Sequence, residues 1–410
     1  MTRPSARFLH AAGVRLDVPV EGCGRFAAGS QAVRLRDLLA ESAFQALERL
    51  VATSIELDVD FVLLGGDTFC DADASVAARG ALRRALEKWA EHSTPVFVVP
   101  GSDDPADAWT RFPSLPECVT LLTPDPAGDG PHHVERGGEV VAAIEYWHQS
   151  PQARRRNPRD ADGAWRIAVL ADDPWQDEAS LRRLESPAAD YFAVAPATGR
   201  QTEAAHGAVM HSPGCTTPTR GHETSAGEAT LVTLDPAKGI ECEPVGLSSF
   251  ARLSRRLTID DRTTEERFLQ QMRQALREVA TTPPREALLV SWKVSGSGSF
   301  RQSLNDAEFQ QLLFESAVEG MIRPSTSIVQ HVEIEPLTPR FPRGKPGDAK
   351  TLVSKALVAL ECRSAEVDPD SWLRQAGLAS RTAVRPVDRT RLQAAAASRI
   401  EEWLGAGTED

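Results

Sequence analysis

The sequence contains no apolar run near the roughly 20 residues of a membrane-spanning helix, and it does not open with a charged and then apolar leader. Its six cysteines are scattered without close pairs, which excludes a disulfide-stapled secreted scaffold. Lys and Arg total 46 against 58 Asp and Glu, which argues against a generally basic surface for nucleic acid. We therefore expect a soluble, cytoplasmic protein that makes no contact with membranes.

Apolar strands alternate with amphipathic helices over residues 1–250, which is typical of an α/β domain. Residues 251–337 repeat the alternation on a smaller scale and predict a small α+β domain. Residues 338–410 open with a basic Pro/Gly linker and continue with two helical stretches. Predicted strands include Phe61–Leu64, Val96–Val99, Arg166–Leu170, Tyr191–Val194 and Arg255–Ile259, and predicted helices include Leu35–Leu57, Val76–Ala90 and Glu178–Leu184.

Polar turns follow three of the first strands. The opening strand runs into a loop with Gly13 and Arg15, the second ends in Gly-Gly-Asp67, and the third leads to Gly101-Ser-Asp-Asp104. The carboxyl ends of parallel strands meet at one edge of a sheet, so these turns should lie close together.

These motifs resemble those of the calcineurin-like metallophosphoesterases, and within them the SbcD-type DNA repair exonucleases. Their pattern is an Asp-x-His loop, a Gly-Asp loop, a Gly-Asn-His-Asp loop, a lone His after a later strand, and a Gly-His-x-His turn. The resemblance covers about residues 1–330. It implies a sandwich of two mixed sheets flanked by helices, followed by a capping domain that helps to place DNA over two metal ions.

Most of the metal ligands that the resemblance implies are replaced in this chain. Asp67 is the one retained ligand, and Asp103 stands where the family has its catalytic acid. The degenerate positions are Gly13, Arg15, Ser102, Ala171, Pro196 and Thr198. Two-metal phosphodiester hydrolysis needs ions about 3.5–4 Å apart, each held by several ligands. We therefore expect no metal cofactor and assign no catalytic residue; if the protein is active, Mn²⁺ or Mg²⁺ would serve.

Arg15 suggests what replaced the ions. Its guanidinium could neutralise Asp67 or Asp103 through a bidentate pair, because clustered carboxylates without a cation repel each other. A rebuilt carboxylate site is the competing hypothesis, and it would use Asp67, Asp103, Asp104, Asp172 and Asp173. The same aspartates could instead be turn residues that accept local backbone hydrogen bonds.

Two other groups of residues are weaker candidates for a site. His206, His211, Cys215 and His222 form a loose cluster whose spacing matches no compact zinc pattern. The loop arginines Arg154, Arg155 and Arg156 could contact phosphates or could simply be solvated.

We therefore predict a catalytically impaired SbcD-like homologue that acts as a structural or partner-binding subunit in DNA processing. An SbcC-like coiled-coil ATPase is the candidate partner, held through apolar stripes on the C-terminal helices, and DNA is a second candidate. Packing of those stripes onto the same chain is an equal alternative. Two other functions stay open: an active exonuclease or phosphoesterase with a rebuilt carboxylate site, and a phosphate-compound binding protein with Arg15 as the anion contact.

Overall fold

The computed structural model describes residues 3–21, 30–71, 75–111, 115–123, 130–147, 163–171, 173–176, 189–195, 199–205, 208–221, 223–280, 285–319 and 327–335. The chain divides into two units, Met1–Leu337 and Thr338–Asp410, and every described residue belongs to the first. The predicted helical tail therefore lies outside the described residues, as does the predicted helix Glu178–Leu184. The predicted domain boundaries stay predictions.

The described residues form 15 strands and six α-helices. The strands are β1 (Ala6–Ala12), β2 (Phe61–Gly65), β3 (Val96–Val99), β4 (Val119–Leu121), β5 (His132–Arg136), β6 (Glu139–Trp147), β7 (Trp165–Leu170), β8 (Tyr191–Val194), β9 (Arg200–Ala205), β10 (Ala208–Pro213), β11 (Glu228–Asp235), β12 (Gly239–Gly246), β13 (Phe250–Ile259), β14 (Ala287–Gly296) and β15 (Ser327–Ile334). The helices are α1 (Ser30–Glu56), α2 (Val76–Glu91), α3 (Ala106–Thr110), α4 (Glu265–Ala280), α5 (Phe300–Ser303) and α6 (Ala307–Val318).

Two six-stranded mixed sheets form the body of the first unit. The first has the order β12-β11-β1-β2-β3-β4. Strands β1 to β4 are parallel to one another, and β11 is antiparallel to both of its neighbours, β1 and β12. The second has the order β5-β6-β7-β8-β10-β9, with β6, β7, β8 and β10 parallel. The predicted two-sheet α/β architecture is therefore confirmed.

Alternate residues of the central strands serve two different cores, because successive side chains of a strand point to opposite faces. On β1, Phe8 packs into the core between the two sheets, where its ring stacks on Phe61 at 4.4 Å. The next residue, Leu9, belongs to the core on the outer face, where α1 and α2 contribute Leu47 and Trp89. Both faces of these strands are buried, which explains their nearly continuous apolar sequences.

The helix α2 begins at a capping residue that the sequence supplies. The hydroxyl of Ser75 accepts a hydrogen bond from the backbone N–H of Ala78 at 3.0 Å, which satisfies one of the free donors of the first turn. Ala78, Leu82 and Trp89 then form the buried stripe that packs on the first sheet. These separations of four and seven residues place the three side chains on one face of the helix.

A third sheet of three parallel strands, β13-β14-β15, follows the sandwich. The helices α4 and α6 pack on one of its faces, around Trp292 and Phe268. Part of its other face, at Phe250, contacts Leu39 of α1. The elements follow in the predicted order, although β13 begins at Phe250 and not at the predicted Arg255. Its role as a cap stays a prediction.

Among the described helices, none is both long and apolar enough to cross a membrane.

Candidate functional site

The loops that follow β1 and β2 run side by side at the carboxyl edge of the first sheet. The backbone N–H of Gly13 donates to the carbonyl of Gly66, and that of Arg15 donates to the carbonyl of Asp67, each at 3.0 Å. All four residues have positive φ, between 42° and 59°. Arg15 and Asp67 are not glycines, and their left-handed backbone is held in place by these hydrogen bonds.

Asp104 joins the loop after β3 to the loop after β2. Its carboxylate accepts hydrogen bonds from the backbone N–H groups of Gly101, Asp67 and Thr68 at 2.8–2.9 Å, and from the indole of Trp109 at 3.3 Å. The side chain is fully buried, and this burial raises the pKa of Asp104 to about 6. Both oxygens are thus engaged by local donors, as expected for a turn residue.

The guanidinium of Arg15 lies inside the edge and faces two carboxylates. It forms a close ion pair with Glu223 and a second, at 3.6 Å, with Asp67, and its Nη1 donates to the hydroxyl of Thr219 at 3.4 Å. The Arg15 side chain is only 6% exposed and that of Glu223 only 1%. Burial lowers the pKa of Arg15, but the neighbouring Cys215, Glu223 and Asp67 together raise it above its usual value.

Asp103 is held by a different arginine. One nitrogen of Arg220, Nη2, contacts both carboxylate oxygens of Asp103, at 2.8 and 3.1 Å. The backbone N–H of Arg220 donates to Glu223 at 2.9 Å, and that of Asp103 donates to Asp67 at 3.1 Å. These four residues and Arg15 therefore form one connected network, which we call the arginine network.

The hypothesis that Arg15 forms a bidentate pair with Asp67 or Asp103 is matched only in part: Arg15 lies 3.6 Å from Asp67, beyond hydrogen-bond distance, and Asp103 is paired with Arg220. The shortest contact of Arg15 is with Glu223, a residue that the sequence analysis did not consider. Glu223 and Arg220 lie in the loop after β10, far along the chain from the first three turns. A Pro-Gly turn at residues 213–214 marks this loop, but no spacing rule connects it to Arg15.

The residues present do not fit the two-metal site that the family implies. A guanidinium occupies the loop after β1, and Asp67 and Asp103 are each paired with an arginine. Ser102 donates its hydroxyl to Asp67 at 3.2 Å, and Ala171 presents only a methyl group. Within the described part of the chain, no group of three or more His, Cys, Asp or Glu side chains could hold an ion. Asp172, Pro196 and Thr198 lie outside it.

Comparison with known proteins is informative mainly through one relative. The chain is 30% identical over 117 residues to YhaO of Bacillus subtilis, an uncharacterized metallophosphoesterase. The match covers 28% of this chain and 27% of YhaO, so this chain spans about a quarter of that relative. The two-sheet architecture agrees with that name. Over that stretch the chain is similar to a metallophosphoesterase.

Solved structures resemble this chain more distantly. A dimetal phosphatase from Danio rerio is 14% identical and covers 59% of this chain and 99% of its own, with a TM-score of 0.33. An archaeal phosphodiesterase is 10% identical, with 58% and 99% covered and a TM-score of 0.28. Likenesses this low carry no argument about function. No protein-family model matches the chain.

The loose His/Cys cluster predicted from the sequence is not one site. Cys215 is buried below Gly13, and its burial raises the pKa of the thiol to about 12. His211 lies elsewhere, between the two sheets, where its ring nitrogens contact the hydroxyls of Thr202 at 2.7 Å and Thr230 at 2.8 Å. His206, His222 and the loop arginines Arg154, Arg155 and Arg156 lie outside the described residues.

Proposed function

We propose that this protein is a non-hydrolytic relative of the SbcD-type exonucleases, kept as a structural or partner-binding subunit in DNA processing. One observation carries the proposal: the guanidinium of Arg15 lies between Asp67 and Glu223, at the position where the related enzymes have a metal-binding histidine. A guanidinium stays protonated and offers no lone pair, so it cannot act as a ligand.

The electrostatics of this edge also oppose a metal ion. A divalent cation about 4 Å from one guanidinium would be repelled by about 8 kcal/mol at an effective dielectric constant of about 20. The carboxylates that could offset this repulsion, Asp67, Asp103 and Glu223, already face Arg15 or Arg220. Water activation by a two-metal centre therefore has no support among the described side chains.

The two alternative functions receive less support. A rebuilt carboxylate site would need Asp103 and Asp104 as free ligands, but Asp103 is paired with Arg220, and Asp104 accepts bonds with both oxygens. A phosphate site would need Arg15 to face a ligand from solvent, but Arg15 is buried and turned toward two carboxylates.

Metal binding is the direct test. Chelator-stripped protein and its Asp67→Ala variant would be titrated with Mn²⁺ and Mg²⁺ by calorimetry, and the same samples would be assayed on double-stranded DNA ends. We expect no stoichiometric binding and no metal-dependent cleavage by either protein. Tight binding and nuclease activity that both disappear in Asp67→Ala would refute the proposal.

The proposed partner role has its own test. The full chain would be mixed with the SbcC-like ATPase of its own organism and examined by size-exclusion chromatography. The sequence predicts an apolar helical stripe that includes Leu357, so we expect Leu357→Glu to abolish the complex. Ser354→Glu, off the predicted stripe, is the matched control. A complex that survives Leu357→Glu, or no complex at all, would contradict this role.

A further inference from the structure

The strongest unexplained feature of the site is that two arginines, and not one, are inserted among its carboxylates. Arg15 follows β1 and Arg220 follows β10, so they enter from different sheets. Each pairs with the carboxylate of another loop: Arg15 with Asp67 after β2, and Arg220 with Asp103 after β3. A single surface ion pair would explain neither the number nor the arrangement of these contacts.

The charges of the arginine network are nearly balanced. Asp67, Asp103 and Glu223 contribute three negative charges, and Arg15 and Arg220 contribute two positive charges, which leaves a net charge of −1. The three carboxylates are 14%, 21% and 1% exposed, so water screens them poorly. Burying carboxylates to this degree costs free energy unless a counter-cation lies beside them.

The loop after β10 is anchored to the end of β1 by two backbone hydrogen bonds. The backbone N–H of Thr216 donates to the carbonyl of Ala12 at 2.8 Å, and that of Thr217 donates to the carbonyl of Gly13 at 3.0 Å. These bonds fix the start of the loop on the end of β1. The far end of the loop brings Arg220 to Asp103 and Glu223 to Arg15.

We propose that Arg15 and Arg220 are built-in counter-cations that hold the loops after β1, β2, β3 and β10 together. They supply from within the chain the positive charge that bound cations would supply at the same edge. This inference rests on the proposed function in one respect, since it requires that the wild-type protein binds no metal there. Beyond the proposed function, we expect both arginines to be necessary for the stability of this edge of the sheet.

Removal of both arginines tests the inference. Arg15→Met combined with Arg220→Met keeps most of the apolar stem but leaves three carboxylates without counter-cations. Breaking a buried pair by removing one partner is strongly destabilising, so we expect Tm to fall by about 5–10 °C. Added Mn²⁺ should restore part of this loss, because Asp67 and Asp103, on adjoining loops, can share one ion once both arginines are gone. Wild-type Tm should not respond to Mn²⁺.

The control is Arg111→Met. Arg111 also forms ion pairs, with Asp71 and Asp107, but its side chain is 50% exposed and lies outside the arginine network. This variant should keep the wild-type Tm within about 1 °C and should show no response to Mn²⁺.

The possible outcomes distinguish a failure of the proposed function from a failure of the inference alone. A rise in wild-type Tm with Mn²⁺ would refute the proposed function and the inference together. An unresponsive wild type, with a double variant that loses no stability or is not rescued by Mn²⁺, would overturn the inference alone. If the double variant does not fold, the single variant Arg220→Met, at a 34% exposed position, must show a smaller loss of Tm that Mn²⁺ partly reverses.

Discussion

His211 makes the stability of this protein depend on pH in a way that can be calculated. The ring is fully buried between the sheets, with Thr202 on one nitrogen and Thr230 on the other. The hydroxyl of Thr230 accepts a hydrogen bond from Arg200 at 2.7 Å, so its own proton is free to point at His211. A neutral imidazole with one donor and one acceptor satisfies this arrangement. Burial, aided by the nearby charge of Arg200, lowers the pKa of His211 from 6.5 to about 3.

The sign and size of the effect follow from this shift. Between pH 3 and 6.5 the unfolded chain binds a proton at His211 that the folded protein does not bind, so stability is lost as pH falls. Between pH 7.5 and 4.5 this one group removes about 2.6 kcal/mol from the free energy of unfolding. His10, whose ring centroid lies 6.0 Å away, has its pKa lowered by burial and acts in the same direction.

Urea unfolding followed by tryptophan fluorescence at pH 7.5 and 4.5 measures this contribution. His211→Gln keeps one donor and one acceptor but cannot titrate, so its stability should fall by about 2.6 kcal/mol less than that of wild type between the two pH values. His133→Gln, at an exposed position of β5, is the matched control and should follow the wild type. Equal losses in His211→Gln and wild type would show that His211 is not buried in neutral form.

Two further predictions follow from the site. Gly101→Ala should destabilise the protein by about 2–3 kcal/mol, because a Cβ there would lie 2.4 Å from the backbone nitrogen of Asp67. The control is Gly80→Ala within α2, where a Cβ meets only the Arg84 side chain at 3.4 Å. In the same denaturation assay this variant should gain about 0.5–1 kcal/mol in its free energy of unfolding. Cys215 is buried and its pKa is raised to about 12, so it should resist alkylation at pH 8 until the protein unfolds. The partly exposed Cys70 should react first. Mass spectrometry of the labelled peptides measures this order, and labelling of Cys215 before Cys70 would contradict the prediction.

Much of the sandwich could be predicted from local pattern. The buried run Phe61–Gly65 and the strand Val96–Val99 are short apolar stretches followed by polar turns, and the strands lie where that pattern places them. Strands without that pattern were missed: β9 (Arg200–Ala205) is an edge strand, and most of its described side chains are exposed. A half-solvated edge strand carries too few apolar residues to be recognised.

The candidate site, too, could be predicted only in part. Residue type alone showed that Gly13 and Arg15 could not be metal ligands, because neither side chain carries a lone pair that an ion could use. The partners of Arg15 could not be read from the chain, since Glu223 lies 208 residues away and reaches Arg15 only after β10 has joined the second sheet. The same holds for His211, which sequence reasoning placed in a loop cluster and which the sandwich buries opposite Thr230.

The sequence by itself determined the α/β class and the lack of metal-donor atoms at Gly13 and Arg15, because strand periodicity and the donor atoms of each side chain are local properties. Only the tertiary structure decided which charges meet. Ion pairs such as Arg15 with Glu223 and Arg220 with Asp103 depend on the register and crossing of strands from both sheets, and no local pattern encodes that geometry.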